Sequence, residues 1–188
     1  MRFTAGLSAV CLALGAASPA MPPRALPPIR ANDNRVAAGV LRQGSLSLSL
    51  VVAAGDWRPL GADQAGTPML VFGEAGKPLQ DPGPLLRVPR GTAVTVRVHN
   101  AAGHTVVVHG LASHRTSGDD SLVIAAGASA SAHFVADVAG TWYYWGSMHG
   151  EGFEARVLDD AHLNGALIVD PPGAAPGRDR VFVVERHS

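Results

Sequence analysis

Cysteine is nearly absent: the 188 residues contain one, Cys11, inside the apolar N-terminal stretch. A chain processed beyond that point has no thiol, so disulfides, thiol catalysis and cysteine-containing zinc patterns are excluded. A blue-copper centre, which needs a Cys thiolate beside two His, is excluded for the same reason. Net charge is also missing, with 15 basic against 15 acidic residues. No field of one sign draws the chain to nucleic acid, and no nucleic-acid partner is expected. No run after the N-terminus reaches the roughly 20 apolar residues that cross a bilayer, so no membrane span is expected. Aromatics make up only 5% of the chain.

Two further features fix the class. The chain carries 22 Gly and 14 Pro between short Val- and Leu-rich runs, a composition suited to a turn-rich all-β protein. Met1-Arg2, an apolar stretch over 5–17 and Ser18-Pro19-Ala20 follow the order of a secretory signal, with cleavage expected after Ala20 or Ala17. The expected organisation is a signal peptide over 1–20, an exposed Pro-rich leader over 21–38, one folded domain over 39–172, and over 173–188 a linker with the start of a further strand. The destination is periplasmic or extracellular.

Within the domain, Leu46-Ser-Leu-Ser-Leu50 alternates with period two, as a strand with one buried and one wet face does. Val94-Thr-Val-Arg-Val-His99 repeats it, with Val94, Val96 and Val98 inward and Thr95, Arg97 and His99 outward. Further strands are expected at 69–72, 85–88, 105–109, 131–136, 141–145, 166–169 and 181–184. Gly/Asn- and Pro-rich turns separate them, the rhythm of an antiparallel sandwich or Greek-key barrel. Only 153–163 suits a short helix. Gly150-Glu-Gly-Phe-Glu-Ala155 satisfies a Gly-x-Gly-x-x-Ala pattern, but a dinucleotide fold needs strands alternating with helices, and these neighbours are strands.

The few aromatics concentrate in Gly140-Thr-Trp-Tyr-Tyr-Trp-Gly-Ser-Met-His149. Alternation sends Trp142 and Tyr144 to one side and Tyr143 and Trp145 to the other, so one pair is expected in the core. The strand ends in a thioether and an imidazole, Met148 and His149, both donors suited to a soft metal. A strand-end bulge would bring His149 towards His109. The candidate copper ligands are therefore His109, His149 and Met148, with His114 or His162 as a further donor. The other reading makes His109 a structural turn residue and His149 an exposed loop residue.

Three landmarks in order, Pro84-Leu-Leu-Arg-Val-Pro-Arg-Gly91, Val106-Val-Val-His-Gly-Leu111, and Gly140-Thr-Trp-Tyr-Tyr144 followed by Asn164-Gly-Ala-Leu-Ile-Val169, resemble the N-terminal, plastocyanin-like domain of multicopper oxidases over roughly residues 40–185. The resemblance implies an all-β, cupredoxin-like Greek-key β-sandwich forming a single domain. It also implies two His-x-His pairs offered to a trinuclear copper cluster shared with the last domain. The first pair falls on Val107-Val108-His109, where only His109 matches; the second falls on Trp145-Gly146-Ser147, where neither does. Asp119-Asp120 fits the acidic turn after the His-Gly-Leu strand.

Two functions are consistent with this pattern. One is the N-terminal domain of an exported multicopper oxidase-type oxidoreductase, inactive alone and partnered by further cupredoxin domains or a homo-oligomer. The other is a single-domain exported binding module without catalysis.

Overall fold

The computed structural model describes residues 25–113, 120–148, 150, 160–174 and 179–184. Twelve strands run in order: β1 (Arg30–Ala31), β2 (Val40–Arg42), β3 (Ser45–Trp57), β4 (Thr67–Glu74), β5 (Gln80–Asp81), β6 (Gly83–Pro89), β7 (Thr92–Asn100), β8 (Val106–His109), β9 (Leu122–Ile124), β10 (Ser129–Ala136), β11 (Gly140–Ser147) and β12 (Asn164–Asp170). They form two five-stranded sheets and a parallel β1–β5 pair. The first sheet is ordered β10-β7-β3-β2, with β4 also on β3, and the second β6-β12-β11-β8-β9.

Strand alternation produces the sandwich. Leu46, Leu48, Leu50 and Val52 of β3 and Val94, Val96 and Val98 of β7 point inward from the first sheet, and all are buried. Leu86, Val88, Val106, Val108, Leu167 and Val169 meet them from the second, joining the same cluster as Phe72 and Tyr144. At about 25 cal/mol per Å² of apolar surface removed from water, this shared cluster is the main source of stability. Tyr144 lies wholly inside it, its ring edge-on to Phe72 with centroids 5.0 Å apart. Its hydroxyl donates to the Pro84 carbonyl at 2.6 Å, which removes the cost of burying it. Burial also holds the Tyr144 hydroxyl pKa well above the ordinary tyrosine value.

The expected exposed leader is different in the structure. From Pro28 onward the segment is laid on the body: Pro28 bridges to Asp56, β1 pairs with β5, and Ile29 packs with Met69, Val71 and Leu79. Asn34 and Ala38 are buried as well. Ile29 makes this possible by lying over Gly55 of β3, where a Cβ would collide with its side chain. The Pro residues mask these apolar anchors in the sequence. Residues 1–24, with the expected signal and Cys11, lie outside the described residues, as does 153–159 of the expected helix; 160–163 is a turn.

The strand expected at 181–184 is not paired in either sheet. The segment still alternates: Val181 and Val183 pack on Leu85, Ala166 and Ile168, on the outer face of the second sheet, while Phe182 and Val184 are exposed. Arg87 holds its start, bonded through Nε and Nη2 to Asp170 and through Nη1 to Asp179 at 2.9 Å. Those hydrogen bonds, Asp170 before Asp179, raise the Arg87 pKa above its ordinary value.

Candidate functional site

The His-Gly-Leu landmark marks the end of β8. Gly110 has φ +78°, and a Cβ there would collide with the Tyr143 carbonyl of β11, so the close approach of the two strands requires glycine. The Gly110 amide donates to Asp120 Oδ2 at 2.9 Å. Asp120 Oδ1 lies 3.9 Å from His109 Nδ1. One carboxylate thus fixes the turn and faces the imidazole. The other ring nitrogen, Nε2, is buried and has no hydrogen-bond partner among the described residues.

β8 and β11 pair antiparallel, with His109 opposite Trp145, Val108 opposite Gly146 and Val107 opposite Ser147. Directly opposed residues share a face, as do residues two apart. Val107, His109, Trp145 and Ser147 therefore form one two-by-two patch on the outer face of the second sheet. The His109 and Trp145 rings stack, with centroids 4.2 Å apart and planes at 21°. A stack of this kind contributes about 0.5–1.5 kcal/mol. Ser147 is buried and Val107 half-buried.

The aromatic strand divides as its alternation requires. Tyr144 fills the core and Trp142 packs against it, with the Trp142 indole N–H donating to Val138 O at 3.2 Å. Tyr143, 47% exposed, and Trp145 lie outward.

Of the candidate copper ligands, the two described ones, His109 and Met148, are not brought together. Met148 packs against the inner core cluster, whereas His109 is on the outer face. Its backbone also continues past the Ser147–Val107 pair, away from the His109 end of β8. Antiparallel pairing causes the separation: every residue after Trp145 moves back along β8. The Met148 amide donates to the buried Asp160 Oδ2 at 3.0 Å. His149 and His114 lie outside the described residues. His162 is buried elsewhere, with Nδ1 3.3 Å from Asp81 Oδ2. That His162–Asp81 pair joins residues far apart in the chain and left no sequence signal.

Copper therefore does not fit the residues present as a cluster held by this patch. Nε2 of His109 is a chemically suitable donor, but the adjacent patch positions carry an isopropyl group, an indole and a buried hydroxymethyl. Among the described residues no three His, Cys, Asp or Glu side chains converge on one point. Copper(II) prefers several imidazoles in a tetragonal arrangement.

The two sheets and the connections between them define a cupredoxin-like domain. A model of the family described as multicopper oxidase matches residues 79–173, half of the chain. The chain belongs to the multicopper oxidase family. Among solved structures it is similar to Lac15 from a marine microbial metagenome, at 27% identity and a TM-score of 0.55 over 70% of this chain and 34% of that one. It is also similar to the multicopper oxidase mgLAC, at 26% identity and a TM-score of 0.51 over 70% and 41%. The blue copper oxidase from Nitrosomonas europaea shares the fold, at 24% identity and a TM-score of 0.52 over 70% and 41%. The chain thus spans less than half the length of each. No curated protein matches it.

Proposed function

We propose that the chain is the plastocyanin-like domain of an exported multicopper oxidase-type oxidoreductase, with electron entry and oxygen reduction carried by other domains. The observation that carries this reading is the family match over residues 79–173; the outer patch of β8 and β11, where the resemblance expects four imidazoles and the chain offers one, supports leaving the chemistry to other domains. Copper, in this reading, belongs to the assembly. The chain alone is inactive, and its partners are further cupredoxin domains or a homo-oligomer docked on the apolar outer face of the second sheet.

Oxidation of a simple phenol by the purified chain with added copper is the direct test. No turnover is expected, and copper-dependent turnover lost in His109→Ala overturns the reading. Mass spectrometry of the native polypeptide supplies a second check. A mature N-terminus at Met21 and further His-x-His pairs flanking a cysteine support it. A secreted polypeptide of this length alone favours the single-domain binding module.

A further inference from the structure

The patch has a chemistry of its own. Trp145 is the direct cross-strand partner of His109, and Val107 and Ser147 complete the same face. Side chains so opposed have Cβ atoms about 4.5–5.5 Å apart, close enough for imidazoles at all four positions to converge on shared metal ions. Three of the four positions hold no metal-binding group. The indole lies nearly parallel to the imidazole, and Asp120 faces the other edge of that ring. Each polar or aromatic contact of His109 therefore serves to seat the ring and to tie the turn at Gly110 to β11.

We infer that the patch of Val107, His109, Trp145 and Ser147 is a copper-free contact in which indole–imidazole stacking has replaced metal ligation, and that His109 packs rather than coordinates. The inference deepens the proposed function and rests on it: copper of the assembly is held without this face, so no cluster of the kind shared across it is completed by this chain.

The test counts metal. The purified chain, without an affinity tag, is loaded with Cu(II) and separately with Cu(I) under reductant, desalted into metal-free buffer and analysed. Wild type and His109→Ala are each expected to retain less than about 0.1 copper per chain. His109→Ala should also shift the tryptophan emission and the near-ultraviolet circular dichroism, because it unstacks Trp145. The triple variant Val107→His/Trp145→His/Ser147→His, which restores the imidazoles, is expected to retain at least about one copper per chain. Where burial of position 147 prevents the triple variant from folding, Val107→His/Trp145→His is measured in its place, with the same expectation.

About one copper per wild-type chain, lost in His109→Ala, overturns the inference, and so does a folded restored variant that holds none. Copper retained without phenol oxidation sinks this inference alone. Copper-dependent oxidation by the chain sinks the proposed function with it.

Discussion

The two sheets share one interior, and the rows around β7 of the first differ from the outer face of the second. On the first, neighbouring strands present Ser49, Arg97 and Ser131 in one row and Ser47, Thr95 and His133 in the next. These positions are mostly exposed, and Thr95 Oγ1 and His133 Nδ1 meet at 3.1 Å. On the second, Leu85, Ala166 and Ile168 are buried beneath Val181 and Val183, and Tyr143, Trp145, Val107 and the 68% exposed Val123 continue the apolar surface. The first sheet is wet over these rows and covered beyond them, where Ile29 and Leu79 lie on Met69 and Val71 with Val51 and Ala53 beside them. The second is apolar from Leu85, Ala166 and Ile168 under the tail to the stacked His109–Trp145 patch.

A buried charge breaks this comparison most severely. Ile168→Asp places an unpaired carboxylate beneath the tail at a site only 7% exposed and should cost at least about 3 kcal/mol. Ser47→Asp, on the wet face, should stay within about 0.5 kcal/mol of wild type. Urea denaturation of the two variants decides it: equal losses would show that the outer faces do not differ.

Gly110→Ala acts on the apolar face through the backbone. With φ at +78° and the Tyr143 carbonyl in the way, the substitution should cost about 1–3 kcal/mol. Because the turn seats His109, the tryptophan emission should change alongside the urea midpoint. A stability loss with unchanged emission would separate the turn from the stack.

Tyr144 probes the interior common to both sheets. Its pKa is raised in the fold by burial, so the folded protein keeps the hydroxyl neutral while the unfolded chain ionises it above about pH 10. Stability from this group is complete below that pH and is lost as pH rises towards the folded value. Tyr144→Phe should cost about 1 kcal/mol at neutral pH through the lost bond to Pro84. It should also flatten the alkaline decline in melting temperature relative to wild type.

Much of this architecture was legible in the sequence because alternation reports which side is buried. The Ser-Leu repeat gave the first half of β3, Val94, Val96 and Val98 lie inward as expected, and the long apolar run at 166–169 is a strand covered on both faces. What alternation lacks is partner identity. β1, β2, β5 and β9 are two or three residues long, too short to show a period. The second half of β3 runs through Ala53, Ala54 and Gly55, poor strand formers held there by pairing with β4 and by Ile29 lying over Gly55. The site divides the same way. His109 stood out by its motif, whereas Asp119-Asp120 read only as an acidic turn with no contact to His109, and the Trp145 stack and the turning of Met148 into the core depend on the β8–β11 register, which no local pattern encodes.

The smallest effect concerns the tail that covers part of the apolar face. The hydrogen bond from Arg87 is the first cause that holds the Asp179 carboxyl below the ordinary carboxylate range. A depressed folded pKa means that the latch is complete above the unfolded value of about 3.9 and weakens as pH falls through the folded one. Asp179 is exposed at the surface, so salt and water screen the pair and global stability should not register its loss. Local opening should. Asp179→Asn is expected to leave the urea midpoint unchanged at pH 7 while raising the rate of tryptic cleavage at Arg180 a few-fold, and mild acid short of unfolding should bring wild type towards the variant. Val183→Ser, which weakens the apolar half of the same contact on Leu85, Ala166 and Ile168, should act in the same direction. If neither substitution changes the cleavage rate, the tail does not cover the second sheet in solution, and the buried end of its outer face joins Tyr143 and Val123 as exposed apolar surface.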